Sequence, residues 1–242
     1  MDLREAGKSR RRRQILDAAR ELIQTDGRES LSMRRLAECA QLSTRTLYNL
    51  YGAMEDILYA LLDENSRELE AGLAKLSLPC PLDRSRALID LHVDVAESRA
   101  VISKALIRGI AVGAAGRPRD TAQVGRARAR HEALIAEAME KGLLLRVTSP
   151  RFLAHHIVAA FGQACQLWAR DALKTPELRA NAQQARVLFL LSVAAPHVRP
   201  HLERELEALA PQFQAMLQRW DALSEPTPER ITTRERKGSA KA

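Results

Sequence analysis

Apolar positions along this chain recur at spacings of three and four, and nowhere do β-branched residues alternate at period two over a useful length. Between 11 and 26, Ile15, Ala18, Ala19, Leu22 and Ile23 line one face of a helix that Gly27 ends as a C-terminal cap. Ser32 is placed to cap a short helix over 33–40, and Ser43 to cap another over 44–51. Gly52 punctuates before a long helix over 55–76. Pro79 and Pro81 interrupt the chain, and helical patterns follow at 84–98, 99–112, 120–141, 150–173, 180–195 and 199–223. Breaks at 113–120, 149–150, 175–176 and 195–196 supply the punctuation. The expected fold is all-α, with an N-terminal three-helix unit at 10–54 and a larger helical region at 55–223. Residues 1–9 are expected to fray, and 224–242, polar and rich in Pro, Thr, Lys and Arg, to be disordered.

Composition agrees with helices: 46% of residues are hydrophobic, only 4% aromatic, and Leu, Ala and Arg dominate. The formal charge of +8 suits a polyanionic partner but says nothing about sequence-specific reading. No apolar run reaches the ~18 residues a membrane span needs. The basic start is not followed by an apolar signal core, because Asp17, Arg20 and Glu21 interrupt it, so a cytoplasmic location is expected. Cys39, Cys80 and Cys165 are widely spaced without a CxxC pair, which predicts free thiols and neither a disulfide nor a zinc site. The phosphate loop, HExxH, Glu-x-x-His and G-x-S-x-G patterns do not occur. Neither an enzyme nor a cofactor or metal is expected.

One segment carries sharper information. In MRRLAECAQLSTRTLYNLYG, residues 33–52, apolar or small residues fall at Leu36, Ala37, Ala40, Leu42, Leu47 and Leu50. Leu36, Ala40, Leu47 and Leu50 would wedge two crossing helices apart, Ala37 would allow close passage, and Leu42 would plug the turn. Thr44, Arg45, Thr46, Tyr48 and Asn49 are left polar, the face that could enter a major groove about 12 Å wide. Any helical hairpin can show this spacing. Its neighbours make it more specific: a basic cluster Arg10, Arg11, Arg12 and Arg13 opens the preceding helix, suited to phosphates or an adjacent minor groove. A Tyr-x-x-Tyr-Gly pattern at Tyr48, Tyr51 and Gly52 closes the hairpin, and a single long helix then leads into a different, larger region.

With those features together, SMRRLAECAQLSTRTLYNLYGAMEDIL resembles the TetR (tetracycline-repressor) family of transcriptional regulators, over about residues 11–60. The resemblance implies a homodimeric DNA-binding regulator with a reading head followed by an effector-binding and dimerising region. It implies that Thr44, Arg45 and Thr46 approach base edges or nearby phosphates and that Tyr48 and Asn49 contact the backbone. Ser32, Arg34 and the N-terminus of the second helix would hold a further phosphate, as a helix start with free N–H groups can; Ser43 sits at the equivalent start of the third. Arg45 is the candidate for reading a guanine through two hydrogen bonds; Tyr48 either touches DNA or packs the small domain. Two positions depart from the family. Gln41 stands where a turn glycine with positive φ is usual, at a cost of about 1 kcal/mol. Met54 stands where a phosphate-binding Lys is common.

The larger region is less legible. His92, Arg108, His131, Phe152, Phe161, Cys165 and Trp168 are candidates to line a pocket for a small, largely apolar effector, though each also reads as an ordinary core or surface residue, the more common role for a histidine on an apolar helix. The helices at 150–173 and 180–195 are apolar on more than one face, so a dimer interface is expected there. Two-fold symmetry then predicts a palindromic operator. The alternative is a constitutive DNA-binding protein whose second region is purely structural.

Overall fold

The computed structural model describes residues 3–27, 31–73, 77–113 and 122–224. Among these it contains ten helices: α1 Leu3–Asp26, α2 Met33–Cys39, α3 Thr44–Tyr51, α4 Met54–Leu73, α5 Pro81–Ser98, α6 Ala100–Gly113, α7 Ala122–Glu140, α8 Pro150–Ala169, α9 Thr175–Leu191 and α10 Arg199–Ser224. Beyond them the only extended pairing among the described residues is a single antiparallel bridge, Leu144 to Ala194. No helix among the described residues is long and apolar enough to cross a membrane. The expected tail at 224–242 lies outside the described residues from 225 on, as does most of the expected break at 113–120.

Several helix ends differ from the expectation, each for a local reason. Instead of fraying over 1–9, the chain is helical from Leu3, where good helix formers and a Glu5–Lys8 pair (2.8 Å) support the first turns. Helix α5 starts at Pro81, which needs no amide hydrogen at the first position. Helix α8 stops at Ala169 because Asp171 turns into the left-handed region (φ 61°). Helix α9 begins already at Thr175, since Pro176 again fits a first turn and the Glu177 carboxylate accepts the Lys174 amide at 2.6 Å.

Three apolar clusters hold the molecule. The first gathers Ile15, Ala19 and Ile23 of α1, Leu36 and Ala37 of α2, Leu47 of α3, and Ile57, Leu58 and Leu61 of α4. It also takes Ile102, Ala105 and Leu106 from α6, so this packing unit extends past residue 54 and includes a helix some fifty residues downstream in the chain. The second joins α5, α7, α8 and α9 with the start of α10, through Ile89, Ile135, Leu153, Ile157, Val187 and Leu202. The third closes one end around Trp168, with Val93, Leu178 and Met216. Helix α6 thus has one face in the first core. From the same helix Lys104 and Arg108 bind Asp171, just past the end of α8.

Candidate nucleic-acid interface

Helices α2 and α3 are both capped as their sequence requires. Ser32 Oγ accepts the Arg35 amide and Ser43 Oγ accepts the Thr46 amide, each at 3.2 Å. These bonds fix where each helix starts and leave its first amide hydrogens facing outward. Between them the chain reverses through Gln41, whose φ of 51° is the left-handed conformation. The Gln14 side-chain amide from α1 donates to the Ala40 carbonyl at 2.7 Å, and the Leu42 amide donates to Ala37 at 2.9 Å. Leu36, Ala37, Ala40 and Leu47 are buried, while Leu42 and Leu50 are half-buried against the same core. The wedge, the close approach and the plug are therefore where the spacing put them.

Above this wedge α3 turns its polar residues outward. Thr44, Arg45, Tyr48 and Asn49 are exposed, Tyr48 by 53%, so Tyr48 does not pack the small domain. Thr46 is half-buried and its hydroxyl lies 2.8 Å from that of Ser43. The Arg45 guanidinium makes no hydrogen bond or ion pair among the described residues, so its donor fork is uncommitted. Arg34 on α2 is equally exposed, with a loose Glu38 partner at 3.1 Å that solvent screens. Arg11, Arg12 and Arg13 stand exposed on the helical start of α1. Tyr51 ties that start to α3, its hydroxyl donating to the Arg12 carbonyl at 3.3 Å. Gly52 ends α3 at φ 80°, where a side chain would be strained and would crowd the Asp56 carboxylate that accepts the Ala53 amide. Met54, in the place of a cationic residue, packs half-buried on the core instead of reaching outward.

The candidate effector residues divide into two groups. His92, His131 and Phe161 gather between α5, α7 and α8, and Cys165 and Trp168 lie one and two turns further along α8, in the third cluster. The His92 ring meets Phe161 edge-on with centroids 5.6 Å apart, and its Nδ1 lies 2.7 Å from the Leu88 carbonyl. His131 is only 3% exposed and its Nδ1 has no hydrogen-bond partner among the described residues. Burial holds both imidazoles neutral, lowering His92 to about 4 and His131 to about 3, and pushes the Cys165 thiol up to about 12. Trp168 is buried and donates its indole N–H to Thr175 Oγ1 at 3.2 Å, under the Lys104 ammonium. Arg108 and Phe152 do not join this group. Arg108 reaches the Ala169 carbonyl and, at 2.9 Å, Asp171. Phe152 is 55% exposed on the outer side of α8, edge-on to His156, which stacks on Phe189 of α9.

Sequence reasoning missed the buried polar chain beside this group. Arg186 is fully buried; its Nε donates to Gln183 Oε1 at 2.7 Å and its Nη2 to Glu205. The signal was present, because Arg186 continues the four-residue stripe Leu178, Ala182, Arg186, Leu190.

Residues 15–61 match the family model of bacterial regulatory proteins, tetR family. No curated protein matches the chain. Among solved structures, a TetR-family regulator from Pectobacterium atrosepticum is similar at 19% identity and a TM-score of 0.62, covering 78% of this chain and 97% of its own. A TetR regulator from Haloarcula marismortui gives 18% identity and 0.59, covering 77% and 100%. The regulator TylP from Streptomyces fradiae gives 18% and 0.56, covering 86% and 98%. Residues 15–61 thus match the reading head of the tetR family, and the chain has the fold of TetR-family regulators along most of its length.

Proposed function

We propose that the protein is a homodimeric repressor that reads a palindromic operator with α2 and α3 and is released by a small, largely apolar ligand. The observation that carries this reading is the outward face of α3, where Arg45 has no internal partner beside Thr44, Tyr48 and Asn49. A planar donor fork held at a helix start is suited to a guanine edge, and the exposed arginines 11–13 and the remaining first-turn amides of α2 and α3 suit flanking phosphates. Residues 10–54 then serve as the reading head, and 55–223 as the effector and dimer region.

An apolar outer surface on α8 and α9 supports dimerisation. Phe152 and Leu188 (50% exposed) stand on the surface of α8 and α9, and Gly162, further along α8, has open space beside it. A second copy laid on it would form a four-helix bundle and space two recognition helices by about one duplex turn, 34 Å. The group around His92, His131 and Phe161 supports an apolar pocket with one unmatched polar atom to orient a ligand. Helices α4 and α6 connect the two regions, and tilting them would change the spacing of the heads.

Operator selection from random duplexes, read by fluorescence anisotropy, tests the reading. The expected product is an inverted repeat bound by a dimer, with affinity falling steeply as salt rises. A monomer at micromolar concentration, or selected sites without two-fold symmetry, would overturn it. A ligand found to release the operator must bind the operator complex more weakly than the free dimer by the same factor. An inverted repeat that no small molecule releases favours the constitutive alternative.

A further inference from the structure

A cleft with a volume of about 660 Å³ lies between α5, α9 and α10. Its charges are unevenly committed. Asp90 accepts from Arg179 at 3.2 Å and from Gln183 at 2.9 Å, and Glu205 is held by the buried Arg186 and by His201 at 3.1 Å. The arginines at the same end are not matched. Arg86 makes no side-chain hydrogen bond or ion pair among the described residues, and Arg204 reaches only the Pro200 carbonyl, at 3.2 Å.

The rest of the cleft is graded. Ala180, Ala208 and Leu209 give it an apolar wall, beside the Arg179 guanidinium that Asp90 and Asp94 already hold. Glu97, without a side-chain partner among the described residues, marks the other end. Glu97 follows Arg86 by three turns on the same face of α5, about 16 Å along the axis at 1.5 Å per residue. Two free guanidinium forks, a greasy span and a carboxylate define an elongated molecule by its chemistry: an acid, an apolar chain, and a cationic or hydrogen-donating far end.

We propose that this cleft is a binding site for a medium-length organic acid with an amine or comparable donor at its far end. Arg86 and Arg204 clamp the acid and Glu97 receives the donor. The site is independent of the apolar effector reading, since neither the residues nor the ligand class are shared. Its occupation would tie α10 to α5.

The test titrates 8-aminooctanoate into the full-length protein by calorimetry, alongside octanoate and octylamine. Tryptophan fluorescence gives a second readout, because Trp168 is hydrogen-bonded to Thr175 on the cleft wall. The expected order is 8-aminooctanoate tightest, octanoate several-fold weaker, octylamine weakest. Arg86→Ala with Arg204→Ala should weaken both acids at least ten-fold. Glu97→Gln should weaken 8-aminooctanoate several-fold and leave octanoate unchanged. All three substituted side chains are on exposed residues, so the variants should fold, and circular dichroism checks this. Operator affinity should not change in them, which separates this site from the reading head. Undetectable binding of 8-aminooctanoate at millimolar concentration, or equal binding by the double-arginine variant, would overturn the proposal.

Discussion

The two halves of the molecule bury different kinds of residue. The core under the reading head is closed by aliphatic side chains of α1 to α4 and α6. All five buried polar residues among the described residues, Ser85, Ser103, His131, Gln183 and Arg186, lie on α5, α6, α7 or α9 and none on α1 to α4. An apolar core specifies one shape through packing alone. A core with buried imidazole, amide and guanidinium groups rests on the hydrogen bonds it does make, so it responds to whatever adds or removes a partner. The head is therefore built to hold a surface constant, and the larger region to be sensitive.

Arg186 offers the hardest test of that contrast. Truncation to Ala leaves Glu205 and the Gln183 oxygen without their buried donor, and should cost about 3–5 kcal/mol in urea unfolding. Replacing the pair together, Arg186→Met with Glu205→Leu, should recover most of that loss, as well-packed apolar residues often do at such sites. If Arg186→Ala cost less than about 1 kcal/mol, the buried polar chain would be decoration and the contrast would fail.

Acid should separate the halves next. His131 and His92 are held neutral by burial, at about 3 and about 4, below the usual 6.5. Between pH 6.5 and those values the unfolded chain binds protons that the folded chain refuses, so stability is complete above pH 6.5 and is lost as pH falls. The loss approaches about 1.4 kcal/mol per pH unit for each histidine, roughly 2 kcal/mol each by pH 5. His131→Gln should flatten about half of this dependence. No histidine lies in α1 to α4, and the reporters are segregated too: Tyr48, Tyr51 and Tyr59 sit on α3 and α4, Trp168 and Trp220 on α8 and α10. Tryptophan fluorescence should therefore register acid loosening before tyrosine signals do.

On the head itself the expected effects are smaller and concern DNA. Arg45→Ala should cost about 1–3 kcal/mol in operator binding and relax preference at one base position per half-site. Tyr48→Phe should weaken all sequences alike. Unchanged sequence preference in Arg45→Ala would reduce Arg45 to a phosphate contact.

Legibility in the sequence follows the same division. The caps Ser32 and Ser43, the wedge at Leu36, Ala40 and Leu47 and the outward Tyr48 all follow from spacings within one hairpin, which local rules capture. Helix ends moved where a proline or a side-chain cap could extend a helix, as at Pro81 and Pro176. What local periodicity could not supply was long-range. Nothing near Ile102 or Leu106 says that α6 completes the core of a head fifty residues earlier. Arg186 breaks the rule that charges face solvent, so its place in an apolar stripe went unread. Phe152 fits an apolar pattern yet lies on the surface, because α8 has more apolar residues than the core of the chain covers.

The finest distinction lies in two backbone positions, one in each half. Gln41 and Asp171 are the non-glycine residues with positive φ among the described residues, at 51° and 61°. A side chain there costs about 1 kcal/mol against glycine, which the greater freedom of glycine in the unfolded chain partly offsets. Gln41 is exposed and shapes a turn through its backbone, so Gln41→Gly should stabilise the protein by about 0.5 kcal/mol, a rise in Tm of about 1–2 °C. Operator affinity should stay the same, because the Ala40 carbonyl and Leu42 amide that fix the turn keep their partners. Asp171 is different. Its carboxylate takes Lys104 and Arg108 from α6, and those pairs hold its pKa below the usual carboxylate range. Asp171→Gly relieves the same backbone but removes two of the polar ties between α6 and the end of α8, leaving Arg108 on the Ala169 carbonyl, so it should gain no stability and should alter how the larger region communicates with the head. Calorimetry of both variants decides the matter. A gain at both positions would mean that the Asp171 contacts hold nothing in place, and that the larger region is no more dependent on its polar partners than the head.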